Sequence, residues 1–261
     1  MNTLRVLRVA AHVGYVDKTS IYTPWTWIAG WMTRVIAQVV FFSLLGALIE
    51  DPAVTRFLVI GNLVMLAMMP TVMGAVVITW DRMKGVLPHI VAAPASSTAA
   101  LAGRLTSSVV EGVVTALLAA PVILLLFDVP VRFVDVPALV GLLVLSAVSA
   151  AGLASLLGAV LLLRTRWRNL GSNLAVFAMM VCCGVNVPPE ATPDALATVG
   201  QILPMTHGLI AIRSIMDSTA TALGPLIVRE LLTGGAWFVA SLPMFAYLIH
   251  HGRATGTLDK E

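Results

Sequence analysis

Two charged side chains lie inside otherwise apolar runs of the 261-residue chain and are the first candidates for chemistry. Arg34 belongs to the run 27–49, and Glu111 belongs to the run 105–127. At 1.5 Å of rise per helical residue, each charge would lie roughly 9–10 Å inside a membrane, where an unpaired charge costs about 2.5–3.5 kcal/mol. Their matched depth predicts that they approach each other or share a wet cavity. They either line a transport path or serve structure alone, as an ion pair or with Arg34 extending to the lipid headgroups.

Neighbouring side chains extend the same candidate path. Gln38 follows Arg34 by one helical turn, so the two side chains share a helix face. The run 57–79 carries four methionines, one of them Met69. Their flexible thioethers suit a hydrophobic ligand, but they also serve as ordinary packing. The candidate substrate path therefore consists of Arg34, Gln38, Met69 and Glu111.

The sequence contains none of the common catalytic motifs. It has no G-x-x-x-x-G-K-[S/T] phosphate loop, no H-E-x-x-H metal motif and no G-x-S-x-G nucleophile elbow. Cys182 and Cys183 are adjacent, so neither an ordinary disulfide nor zinc ligation at the usual spacing is expected. We therefore expect no catalytic residue, no metal and no cofactor in this chain. A membrane-embedded enzyme or a non-transporting scaffold is the alternative to a transport protein.

The composition indicates an all-α polytopic membrane protein. Apolar residues make up 59% of the chain and charged residues 11%, whereas soluble domains carry about 25% charged residues. Several apolar runs exceed the ~18 residues that a membrane-spanning helix needs. The net charge is +3, but the basic residues lie in short loops without interleaved aromatics, which argues against a nucleic-acid partner. The whole chain, 1–261, is predicted to be one transmembrane domain.

Six membrane-spanning helices are predicted from the apolar runs. They cover 27–49, 57–79, 105–127, 136–163, 170–187 and 227–250. Ahead of them, Leu4, Leu7, Ala11 and Tyr15 recur at helical spacing. This pattern predicts an interfacial amphipathic helix over 2–15, with its apolar side in the lipid headgroup layer.

The orientation follows from the distribution of Lys and Arg. With the N-terminus in the cytoplasm, eleven of the sixteen basic residues fall in cytoplasmic segments. Because cytoplasmic loops are enriched in Lys and Arg, both termini are predicted to be cytoplasmic. The expected location is the cell membrane, with several passes.

Two stretches resemble the ABC-2 type exporter permeases. The segment DRMKGVLPHIVAAPASSTAALAGRL, 81–105, is similar to the family's cytoplasmic loop, E-R-x-x-G-T-L-E-x-L-x-x-(S/T)-P-x-S followed by a basic residue. Pro88 departs from it, standing where the pattern usually has Glu. The segment LPMTHGLIAIRSIMD, 203–217, resembles the pattern [N/L]-P-x-T-x-x-x-x-x-x-R before the last span. The sequence of the first span is more similar to those of multidrug and antibiotic exporters than to those of polysaccharide exporters.

This resemblance implies roles for the matching residues. In the family, the loop is a coupling helix that docks on a separate ATPase subunit. The loop residues that would couple this chain to its ATPase are Asp81, Arg82, Gly85, Leu87, His89, Ile90 and Pro94. The partly polar stretch 193–217 would form a re-entrant helical hairpin before the last span. Its matching residues are Pro204, Thr206, His207 and Arg213.

The function implied is that of an exporter's permease subunit. It would move a hydrophobic or amphipathic compound, such as a drug, antibiotic or lipid-like molecule, out of the cell. ATP and Mg would bind to the partner ATPase, and a second permease copy or homologue would complete a dimer in the lipid bilayer. Leu87, Ile90 and Val91 are predicted to pack into a groove on the ATPase. Export of a lipid-linked glycan is the alternative within transport, and an aromatic-lined groove would favour it.

Overall fold

A computed structural model describes residues 3–93, 96–219 and 222–255, and nearly all of them are helical. The first membrane helix, Pro24–Leu48, includes a π-helical segment, Trp27–Met32. Short 3₁₀ turns lie at Phe133–Asp135, Thr165–Trp167 and Pro189–Ala191. The α-helices are α1 (Thr3–Ile21), α2 (Pro24–Thr26), α3 (Thr33–Leu48), α4 (Pro52–Met83), α5 (Leu87–Ala92), α6 (Ser97–Leu126), α7 (Val136–Leu163), α8 (Arg168–Cys182), α9 (Asp194–Ile202), α10 (Thr206–Met216) and α11 (Leu223–Thr255).

Five helices are long and apolar enough to cross a membrane. They are Pro24–Leu48, Pro52–Met83, Ser97–Leu126, Phe133–Leu163 and Leu223–Leu248. Each overlaps a predicted span, because a run of about 20 apolar residues is a local property that the sequence displays directly. The expectation of an all-α polytopic membrane protein is confirmed.

The fifth predicted span differs from the structure at its C-terminal end. The prediction ran from 170 to 187, but α8 has 15 residues and ends at Cys182. It is therefore about 22 Å long, which is shorter than the ~30 Å apolar core of a bilayer. Gly184 has a φ of 75°, and this left-handed conformation ends helices.

The helices α9 and α10 form a bent pair before the last span, with an angle of 95° between them. Arg213 in α10 donates a hydrogen bond from Nη1 to the Gly184 carbonyl, at 2.7 Å. Asp217, just after α10, accepts from Nε of Arg56 in α4 at 2.9 Å. The chain that leaves α8 and the chain that leaves α10 thus lie at the same end of the bundle. This is the arrangement of a re-entrant hairpin.

The helix α4 forms the centre of the bundle, packed against α3, α6, α7 and α8. Of its most apolar stretch 83% is buried, against 17% for α11. Small residues bring the helix backbones together, as is common in membranes. A Cβ on Gly112 of α6 would overlap the Ala67 carbonyl oxygen of α4, and a Cβ on Gly152 of α7 would overlap the Gly234 carbonyl oxygen of α11.

The N-terminal helix α1 packs lengthwise along the first half of α6. Its buried side consists of Val6, Ala10 and Gly14. Leu4 and Tyr15, two residues of the side predicted to lie in the lipid headgroup layer, are exposed in the single chain. Close packing determines which side of α1 is buried. A Cβ on Gly103 would collide with Ala10, and a Cβ on Gly14 would press against Ser107. Small side chains therefore set the rotation of α1.

We expect Gly112→Ala to destabilise the protein, because the added methyl group meets the α4 backbone. Overpacking of this kind costs about 1–3 kcal/mol. The matched control is Gly141→Ala in α7, where a Cβ meets no atom of the described residues within 4 Å. Thermal unfolding of the detergent-solubilised protein measures the difference. Equal melting temperatures for the two variants would contradict the backbone contact between α4 and α6.

Candidate functional site

A buried ionic cluster connects α1, α4 and α6. Nε of Arg104 donates to Oδ2 of Asp81 at 2.8 Å, and a second contact joins Nη2 to Oδ1. Nη1 of Arg104 lies 2.7 Å from Oδ2 of Asp17. The side chain of Asp81 is fully buried, whereas that of Asp17 is 34% exposed. The guanidinium of Arg104 thus connects α6 to the last turn of α4 and to the end of α1.

This cluster changes the predicted role of Asp81. A buried carboxylate needs a cation and hydrogen bonds, because burying an unpaired charge is very costly. Asp81 obtains both from Arg104, and its burial leaves no surface for contact with another protein. The part in ATPase coupling predicted for Asp81 stays a prediction, and the pair with Arg104 holds the two ends of the loop together. Arg82 donates from Nη1 to the Leu162 carbonyl of α7 and ties α7 to the same end.

The short helix α5 is anchored to the bundle by Leu87 and Val91. Both are buried in a cluster with residues of α4, α6, α7 and α11, among them Ile78 and Phe245. The expectation that Leu87 and Val91 insert into a groove on another subunit is therefore wrong, since the chain's own core already covers them.

The exposed side of α5 carries other residues of the predicted loop. His89 is exposed and Ile90 is half-buried, and Val86 just before the helix is exposed. Gly85 adopts a φ of 67° after α4, a conformation that glycine accommodates without strain. Pro94, the remaining loop residue of the prediction, lies outside the described residues.

A cavity of about 750 Å³ opens between α1, the Pro24–Leu48 helix, α4, α6 and α8. Three of the four predicted path residues line it, namely Arg34, Met69 and Glu111. Gln38 does not join them, because its amide contacts Sδ of Met180 in α8 at 3.8 Å. The aromatic residues of the lining are Tyr15, Tyr22, Trp27, Trp31 and Trp80.

Within this cavity, Glu111 pairs with Lys18 and not with Arg34. Nζ of Lys18 contacts Oε2 of Glu111 and also donates to Oγ of Ser108 at 3.0 Å. Nε1 of Trp27 donates to Oε1 of Glu111 at 3.2 Å. Burial lowers the pKa of Lys18, and the charge and hydrogen bond of Glu111 act in the opposite direction. Of the two predicted arrangements, direct approach of Arg34 to Glu111 or a shared cavity, the structure has the shared cavity.

Of the predicted hairpin residues, Thr206 bonds within the hairpin, whereas Arg213 bonds to carbonyls before it. Oγ1 of Thr206 donates to the Gly200 carbonyl at 2.6 Å, and the Pro204 carbonyl faces Sγ of Cys183 at 3.8 Å. His207 is buried at the start of α10. The Arg213 guanidinium lies over the ring of Phe57, 3.5 Å from its centroid.

Glu230 is a site residue that the sequence reading missed. It is fully buried in α11 and accepts hydrogen bonds from the N–H groups of Met205, at 2.7 Å, and Gly208, at 3.0 Å. The carboxylate thus satisfies free N–H groups at the start of α10, where the helix dipole favours negative charge. The available signal was a lone acid inside an apolar run, the same signal that singled out Glu111.

The comparison with protein families decides what kind of membrane protein this is. The family model described as "ABC-2 type transporter" matches residues 18–216, which is more than half of the chain. The chain belongs to the ABC-2 type transporter family. No curated protein matches it.

For this ABC-2 transporter chain, the matched range begins at Lys18 and ends at Met216. It contains the Asp81–Arg104 pair, α5, most of the cavity and the hairpin. Glu230 lies beyond it. The family is that of the transmembrane subunits of transporters, so this chain is a transporter's membrane part and not itself an ATPase.

We expect Arg104→Gln to be much more destabilising than Asp17→Asn. Loss of Arg104 leaves Asp81 buried without a cation, which costs about 3–5 kcal/mol, whereas a partly exposed pair contributes roughly 0–1 kcal/mol. Adding Asp81→Asn to Arg104→Gln should restore part of the loss. Thermal unfolding in detergent measures all three variants. Similar losses for Arg104→Gln and Asp17→Asn would contradict the central role of the buried pair.

Proposed function

We propose that this chain is the permease subunit of an ATP-driven exporter that moves a hydrophobic or amphipathic compound out of the cell. The cavity is the observation that carries the proposal. Its walls on α4 are apolar, at Met69, Met73 and Val77, while charged residues of α1 and α6 stand beside them. Pockets of this kind bind ligands through apolar contact and use a few polar groups to orient them.

The proposed ATPase contact is the exposed side of α5. Leu87 and Val91 fasten this helix to the bundle core, and the Asp81–Arg104 pair fastens its flanking helices to each other. A push on α5 would therefore be transmitted to α4 and α6, which also form two walls of the cavity. ATP and Mg would bind to the partner ATPase, and α5 and both chain termini would lie in the cytoplasm.

A second permease copy or homologue would complete the transporter in the lipid bilayer of the cell membrane. Large apolar side chains on α3 and α8 are exposed in the single chain, among them Phe41, Leu44, Leu174 and Phe177. Lipid or a second copy would cover them. The cavity lies between these two helices, so a dimer would enclose it further.

Export of a lipid-linked glycan is the second candidate. Of the nine Trp and Tyr residues in the chain, five line the cavity. Aromatic rings present amphipathic surfaces suited to a ligand with polar and apolar parts. Aromatic residues are only 7% of the whole chain, so it is their concentration in the cavity that supports a glycan.

The proposed ATPase contact predicts the behaviour of two kinds of variant. Val86→Asp with His89→Asp should weaken co-purification of the ATPase without lowering the melting temperature, because both side chains are exposed. Leu87→Asp should lower the melting temperature, because it places a charge in the core. Phe133→Asp, exposed beyond the far end of α6, is the surface control. Undiminished ATPase capture by the Val86/His89 double variant would refute this contact.

The proposed substrate path predicts that filling the cavity stops transport. Val77→Trp adds a large ring to the cavity wall, and Val148→Trp makes the same change at an exposed position of α7. In inside-out vesicles that contain the permease and its ATPase, ATP-dependent uptake of a lipophilic dye is measured. Val77→Trp should reduce uptake to the level seen without ATP, while Val148→Trp should leave it unchanged. Full uptake by Val77→Trp would exclude the cavity as the path.

A further inference from the structure

The charges that line the cavity do not balance. The carboxylates of Asp17 and Glu111 line it, and each already has a cation, Arg104 and Lys18 respectively. Two further lining cations, Arg34 and Lys84, have no carboxylate within 4 Å among the residues that the structure describes. Four lining cations therefore stand against three carboxylates, even when the buried Asp81 is included as the second partner of Arg104.

The carboxylates in the cavity are not available to a cationic ligand. Both oxygens of Glu111 are occupied, Oε2 by Lys18 and Oε1 by the indole N–H of Trp27. Asp17 has Arg104 at 2.7 Å. A cationic ligand would have to displace one of these partners and would leave that partner's own charge unpaired.

Arg34 is the cation that most needs a partner. It lies within the first membrane helix, and its guanidinium is 5.8 Å from the ring centroid of Trp31. It shares the cavity with Met69, near the middle of α4. The Arg34 side chain is exposed in the single chain and so open to a ligand, and the planar fork of a guanidinium matches a carboxylate or phosphate with two parallel hydrogen bonds.

We propose that the cavity binds an anionic amphiphile whose acidic group pairs with the guanidinium of Arg34. The apolar body of the ligand lies along α4, where the lining from Met69 to Trp80 extends over roughly 16 Å at 1.5 Å per residue. Lys84, which follows α4 and sits 5.9 Å from the ring of Trp80, adds a second positive charge at the other end of the cavity. This assignment deepens the export function proposed above and rests on it.

The experiment compares three probes that differ only in their polar head group. Bromododecanoic acid is anionic at neutral pH, bromododecylamine is cationic and bromododecanol is neutral. Bromine quenches tryptophan fluorescence on contact, and Trp27, Trp31 and Trp80 line the cavity. Binding is titrated with the full-length permease in phosphatidylcholine nanodiscs. The acid should bind at least about tenfold more tightly than the amine, because only the acid complements Arg34.

Variants assign this preference to one side chain. Arg34→Gln should remove the difference between acid and amine, whereas Arg34→Lys, which keeps the charge, should retain most of it. Arg166→Gln, an exposed arginine outside the cavity, makes the same chemical change and should alter nothing. Retention of the full preference by Arg34→Gln, or loss of the preference by Arg166→Gln, would overturn the assignment.

The neutral probe separates this inference from the proposed function. Equal binding of all three probes would overturn the charge preference while leaving an amphiphile site in place. Tighter binding of the amine would also overturn it. If no probe quenches the wild-type protein, the amphiphile site and the proposed function both fail. A second set of nanodiscs containing phosphatidylglycerol identifies the source, because competition there assigns the site to a lipid headgroup and unchanged binding assigns it to a free organic acid.

Discussion

Arg104 is held between a carboxylate without solvent access, Asp81, and one that is partly exposed, Asp17. A buried aspartate at the end of a membrane helix is tolerable only with a cation against it. That requirement brings the start of α6 to the end of α4 and therefore determines where the α5 loop lies. It also draws the end of α1 to α6, which closes one side of the cavity. The end of the bundle that carries α5 and one side of the cavity thus depend on the same guanidinium.

Local features of the sequence were enough to predict most of the fold. Five spans follow from apolar length alone, and the loop around α5 follows from its resemblance to a family pattern. The features that the sequence did not show depend on local backbone conformation or on partners in distant parts of the chain. The end of α8 depends on the backbone conformation of Gly184, which hydropathy does not report. The rotation of α1 depends on Gly103, about ninety residues away, and the apolar pattern of α1 gives no sign of that contact.

The candidate site was predictable as a set of residues but not as a set of pairs. Charges inside apolar runs identified Arg34 and Glu111, and both do line the cavity. Depth alone suggested that they meet, but Lys18 reaches Glu111 from α1. Because Lys18 pairs with Glu111, the charge of Glu111 is balanced and Arg34 has no carboxylate within 4 Å among the described residues. Leu87 shows the same limit, since an apolar side chain in a loop gives no sign of whether its own chain or another covers it.

Glu230 has a consequence for how the protein is made. The chain is synthesised from its N-terminus, so α9 and α10 exist before the carboxylate that satisfies the N–H groups of Met205 and Gly208. Unsatisfied N–H groups are not stable in hydrocarbon. The start of α10 therefore gains these two hydrogen bonds only after α11 has been made and packed beside it. A chain that ends before Glu230 would leave both N–H groups without this acceptor.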